Sequence, residues 1–180
     1  MQMLLQRIRQ LGADNVGLVP VEKIQFDPSF RELCRQNACG MYGRSWMCPP
    51  HVGRIEDLIA QAKTYKTALV YQTVDTLEDS YDFEGMMKAA ERMNRLTQAI
   101  RREIPASMRP ALLLGAGGCR VCAVCAKQED KPCRFPEKAL ASLETYGIYV
   151  TALAQQAGMR YTNGVNTVTY FGAVLLEKES

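Results

Sequence analysis

The sequence predicts an α/β or α+β fold, a mixed sheet flanked by helices from which two cysteine-rich, metal-binding loops emerge. Three observations predict it. Segments of helical periodicity alternate with short runs of aliphatic and β-branched residues, the pattern of layered sheet and helix. Two stretches dense in cysteine, glycine and proline, at 34–51 and 115–136, break that alternation and read as irregular loops. A content of 47% hydrophobic and 23% charged residues over 180 positions suits a globular chain with a core of its own. With no internal repeat or low-complexity tract, residues 1–180 read as a single domain.

Residues 2–11 fit a helix stopped by Gly12. Asn15 to Phe26 reads as extended, interrupted at Pro20. Asp27-Pro28 offers an N-cap and a first-turn proline for a short helix through Arg35, with Cys34 at its end. Ala38 to Gly53, with the Pro49-Pro50 pair, has no regular period. Ile55, Leu58, Ile59 and Ala62 recur at helical spacing and predict a helix over 54–65. Thr67 to Val74 is a strand.

Residues 81–103 form the longest predicted helix. Phe83, Met86, Met87, Ala90, Met93, Leu96 and Ile100 lie on one face, spaced for burial. Acidic residues near its start and Arg101 and Arg102 near its end suit the helix dipole. Pro110 to Leu114 is a short strand running into the glycines before Cys119. Pro136 starts a predicted helix ending at Gly147, and Ile148 to Gln156 is another, closed by Gly158. Asn163-Gly164 predicts a turn between Met159–Thr162 and a strand over 166–176, hence a terminal hairpin.

The formal charge of +3 is mild and no lysine/arginine block marks a nucleic-acid arm. The first ten residues carry charge inside their apolar stretch, so they read as an amphipathic helix and not as a signal peptide. No run approaches the roughly 18 apolar residues that span a bilayer. A cytoplasmic protein is expected, with neither nucleic acid nor membrane as partner. In a reducing compartment seven cysteines, an odd number, point to ligands and away from a disulfide framework.

The second loop carries the strongest signal. Cys119, Cys122 and Cys125 stand three residues apart and Cys133 follows closely, so one loop supplies four thiolates. Bacterial ferredoxins place their first three ligands in the same rhythm, although Cys133 is followed by Arg134-Phe135-Pro136 and not directly by proline. Structural zinc sites more often use two separated C-x2-C knuckles, which makes zinc the alternative here. Gly115, Gly117 and Gly118 let the backbone pass close to a bulky group, and Arg120, Lys127 and Arg134 bring positive charge. The glycines lack the spacing of a nucleotide loop.

The first burst, Cys34, Cys39 and Cys48, is followed by the chain's only histidine, His51. Three readings stay open: a second cluster completed by His51, a carboxylate or water; a Cys3His zinc site; or buried free thiols. A cluster with one iron lacking a thiolate offers a Lewis acid to substrate. His51 is a candidate ligand or proton carrier, or simply caps the helix near Arg54. Tyr42, Arg44 and Trp46 are expected to pack over the cofactor, with Trp46 excluding water. The C-x3-C-x2-C spacing of radical-SAM enzymes is absent.

The run Cys34…Cys39-x2-Tyr42-Gly43-x2-Trp46-x-Cys48-Pro49-Pro50, with Gly118-Cys119-x2-Cys122-x2-Cys125, Pro132-Cys133-Arg134-x-Pro136 and Ser142-x-Glu144-x2-Gly147-Ile148, resembles a family of small cysteine-rich predicted metal-binding proteins catalogued as a domain of unknown function. The resemblance covers nearly the whole chain and implies metal or iron–sulfur binding by the matched cysteines. It implies no particular reaction. Arg134, Pro136 and Glu144 match as well, in positions that suit cluster packing and helix capping.

These readings predict a cytoplasmic iron–sulfur protein with one or two [4Fe–4S] clusters. Its expected work is electron transfer, or a small redox enzyme or accessory reductase, with a redox protein or a small molecule as partner. If it is an enzyme, an oxidoreductase or a cluster-dependent lyase is expected. A non-redox zinc-binding interaction module and a cluster-based sensor or carrier are the alternatives.

Overall fold

The computed structural model describes residues 1–178. Its centre is a mixed five-stranded sheet of β1 (Asn15–Pro20), β2 (Tyr65–Thr76), β3 (Leu112–Gly115), β4 (Ala141–Ser142) and β5 (Thr167–Lys178). The spatial order is β1-β2-β5-β3-β4. All neighbours run antiparallel except β3 and β4, which run parallel. The two long strands, β2 and β5, are buried on both faces in their middle, over Ala68–Thr73 and Phe171–Leu176, with Gln72 and Thr73 the polar residues among them. Side chains alternate faces along a strand, so Ala68 and Val70 point into one core while Leu69 and Tyr71 point into the other. On β5, Phe171, Ala173 and Leu175 join the first core, and Val174 and Leu176 the second.

The first core is covered by α3 (Ile55–Lys63) and α5 (Val150–Gln156) through Leu58, Ala62, Val150, Leu153 and Ala154. The second is covered by α1 (Gln2–Gln10) through Leu4, Leu5 and Ile8, and by α4 (Phe83–Glu103) through Met93, Leu96 and Ile100. The Asp82 carboxylate caps α4 by accepting from the Gly85 N–H at 2.7 Å. Arg92 ties α4 to the sheet through Asp14 and Asp75, both at 2.9 Å. The apolar face predicted for this helix is buried from Ala90 onward, whereas Phe83 and Met87 in the first two turns are exposed.

Tyr71 and Gly172 are directly opposed across β2 and β5, and the tyrosine ring lies over the glycine. A Cβ at Gly172 meets the ring at 2.5 Å. Tyr71 is held there by full burial and by a 2.8 Å hydrogen bond with Thr97 of α4. Gly172→Ala is therefore expected to destabilise the chain by about 1–3 kcal/mol, the usual cost of overpacking. Chemical denaturation checks it, and an unchanged midpoint means the ring yields freely.

The predicted helices over 2–11, 54–65 and 81–103 and the strands at 67–74 and 110–114 appear within a few residues of their expected bounds. Three expectations are corrected. Residues 136–147 are not a helix: Ala141 and Ser142 pair with Leu114 and Gly115 at the sheet edge. A hydroxyl-capped turn at Ser142 then leads to the 3-10 turn Glu144–Tyr146. There is no terminal hairpin: residues 159–162 form no strand, and β5 pairs along its length with β2 and at Ala173–Leu175 with β3. Asn163 instead folds back on Arg160 and Thr169 as a turn. Asp27 accepts from the Ser29 N–H in a turn that precedes α2 (Phe30–Arg35), and so does not cap it. Among the described residues no helix is long and apolar enough to cross a membrane.

Candidate metal centre

β3 ends at Gly115 and delivers the chain to the second cysteine loop. Gly117 adopts φ +63°, a left-handed backbone that glycine takes without strain, and this turns the chain so that Gly118 lies flat against the first loop. A Cβ at Gly118 comes within 3.9 Å of the Cys48 sulfur and 3.8 Å of Met41 Cγ. The two cysteine bursts, distant in sequence, are thereby neighbours. Cys39, Gly118, Cys119, Arg120 and Cys122 together line a cleft between them.

Cys119, Cys122, Cys125 and Cys133 line one cavity, as the spacing predicted. Its remaining wall is mostly apolar, with Trp46, Met47, Val121, Ala126 and Phe135. The loop makes few backbone hydrogen bonds of its own beyond the 3-10 turn Ala126–Glu129, and side chains hold most of the rest. Burial opposes ionisation of Cys125. The backbone N–H groups of Lys127 and Trp46 and the Ser45 hydroxyl outweigh it, with Arg134 assisting, and hold the thiol below its usual range. Arg134 also donates to the Val124 carbonyl at 2.9 Å, which pins the loop.

Segment 44–47 closes this cavity from the first loop. The Trp46 indole N–H donates to the Lys131 carbonyl at 2.9 Å, and Arg44 donates to Gln128 at 2.8 Å. The Lys127 ammonium sits 5.2 Å from the centre of the Trp46 ring and also pairs with Asp130. Trp46 packs over the cavity, as expected for a residue that keeps water out. Ser45 is fully buried beside Cys125, and nothing in the sequence marks it.

In the first burst, α2 brings Cys34 to its last turn, and Asn37 accepts from the Tyr42 N–H at 2.9 Å to set the loop that follows. Cys48 is buried, Cys34 half-buried and Cys39 exposed. Burial pushes the Cys48 thiol up, and the neighbouring thiols of Cys39, Cys34 and Cys119 add to the shift. Burial also raises Cys34, against the pull of Arg31. His51 is exposed, packs edge-on against Trp46 at 5.4 Å between ring centres, and lines neither the four-thiol cavity nor the cleft between the bursts.

Among the described residues no three His, Cys, Asp or Glu side chains close on a single point. Cys119, Cys122, Cys125 and Cys133 give the cavity an all-sulfur donor set, and backbone N–H groups bond the Cys125 sulfur, a setting that suits a thiolate-bound metal group. A mononuclear zinc site needs four ligands within about 2.3 Å of one ion.

A family model described as predicted metal-binding protein (DUF2284) matches residues 17–176. No curated protein and no solved structure matches the chain.

Proposed function

Since the chain belongs to the predicted metal-binding proteins of this family, we propose that it is a cytoplasmic iron–sulfur protein that moves single electrons between its two cysteine loops and a partner. The observation that carries the reading is the convergence of Cys119, Cys122, Cys125 and Cys133 on one largely apolar cavity. A [4Fe–4S] cluster bound there supplies reversible one-electron exchange at iron. The chain's own residues supply its setting. Trp46 and Phe135 exclude water, backbone N–H groups at Lys127 and Trp46 bond the Cys125 sulfur, and Arg134 offsets thiolate charge. Cys34, Cys39 and Cys48 form the second site, beside Cys119, which gives an electron a short path between the two. His51, whose ring contact is with Trp46, is the remaining candidate ligand or proton carrier beside this second site. A reducing compartment keeps all seven thiols available.

Anaerobic purification with iron and sulfide counted per chain tests this. The expected result is a brown protein with a broad visible absorption that dithionite bleaches. A colourless protein holding zinc and no sulfide overturns it, because d¹⁰ zinc absorbs no visible light.

A further inference from the structure

Arg31 is a half-buried cation, and among the described residues no carboxylate forms an ion pair with it; Glu56 acts on it only from a distance. On α2, Arg31, Cys34 and Arg35 follow at i, i+3 and i+4 and share one helix face. Arg31 Nη1 donates to the Gly53 carbonyl at 2.9 Å. Its Nε and Nη2 atoms are shut off from water and have no hydrogen-bond partner among the described residues. The neighbouring arginines are differently placed: Arg35 pairs with Glu32 at 2.8 Å and Arg54 reaches Glu56 at 3.5 Å, both well exposed.

Buried donors are ordinarily satisfied, and a guanidinium presents Nε–H and Nη2–H as a parallel pair suited to an anion. Burial lowers the pKa of the Arg31 guanidinium, and the group that most offsets this is the Cys34 thiol, ahead of Tyr42 and Glu56. Arg31 borders an open groove with Tyr42, Arg54 and Glu56, but its Nε and Nη2 atoms are themselves covered by protein.

We infer that Arg31 is a positioning residue for the metal site of Cys34, Cys39 and Cys48, its Nε–Nη2 edge reserved for the thiolate of Cys34 and the negative charge of the group that thiolate binds. The inference rests on the iron–sulfur reading above. A fixed positive charge beside a redox centre favours its reduced, more negative form. Arg31 therefore raises the potential of this site and slows its loss of iron.

The experiment is a dithionite redox titration followed by electron paramagnetic resonance, together with iron release to a chelator, on wild type, Arg31→Gln and Arg31→Lys. Arg31→Gln is expected to shift the first-loop potential downward, leave that of the 119–133 loop in place, and weaken iron retention about 10- to 100-fold, as loss of such outer partners does. Arg31→Lys keeps the charge without the paired donors, so its potential stays near wild type while iron still leaves faster. Wild-type potentials and release rates in a folded Arg31→Gln overturn the inference alone. If that variant does not fold, unchanged iron release from Arg31→Lys overturns it. A wild-type chain without iron and sulfide on the first loop overturns the underlying reading, and the inference with it.

Discussion

Replacing Cys122 with serine is expected to empty the 119–133 loop of metal and to send most of the protein into the insoluble fraction. Cys122 is the middle thiol of the three evenly spaced ones and lines both the four-thiol cavity and the cleft towards Cys39. Its loss removes a soft ligand for which the serine hydroxyl is a poor substitute. The loop has one 3-10 turn and few backbone bonds to fall back on. In small metal domains of this kind the binding free energy is largely the folding free energy, on the order of 10 kcal/mol or more. Without metal, Val121, Ala126, Phe135 and Trp46 line a cavity with nothing to close on, and exposed apolar surface of that kind drives aggregation. Iron per chain and the soluble fraction are the measurements. Full iron content with ordinary stability in the serine variant means that Cys122 is not a ligand.

The second large effect is expected for Trp46→Ala, in the rate at which air bleaches the protein. Trp46 belongs to the first loop but roofs the cavity of the second, with its indole N–H on Lys131, Lys127 over its ring and His51 at its edge. Truncation opens the thiols to water and oxygen and also cuts the clasp between the loops. Bleaching about tenfold faster is expected, in keeping with the control that an apolar shell exerts over a metal site. Full burial of a tryptophan is worth about 3–5 kcal/mol on truncation, and this half-buried one less. Trp46→Phe keeps the apolar cover while losing the bond to Lys131, so it belongs between the two. Wild-type bleaching in Trp46→Ala means that water reaches the site by another route.

The parts of this fold that were legible in the sequence are those fixed by local periodicity. Helix α4 announces itself by its apolar spacing, an acidic start and a basic end, and β2 by an apolar run broken on both sides. Residues 136–147 misled because Pro136 and Gly147 are credible helix ends, while the pairing of Ala141 and Ser142 with β3 is a long-range contact that no local pattern encodes. The hairpin expected at Asn163-Gly164 failed because residues 159–162 form no strand, and Asn163 instead bonds Arg160 and Thr169.

The candidate site divides in the same way. Four thiols on one loop are a local pattern, and the structure gathers them around one cavity. The approach of Gly118 to Cys48, the buried hydroxyl of Ser45 and the isolation of Arg31 depend on tertiary packing. Gly118 was legible as a point of close backbone approach, whereas Arg31, three residues before Cys34 on a helix, stood out only once its packing was known.

Ser45 and Trp46 wall the second site, and three residues after Ser45 the same backbone presents Cys48 to the first. One short stretch of chain thus answers to two occupants. On the proposed reading, filling either pocket is expected to pre-shape its neighbour, and stripping one to loosen the grip of the other.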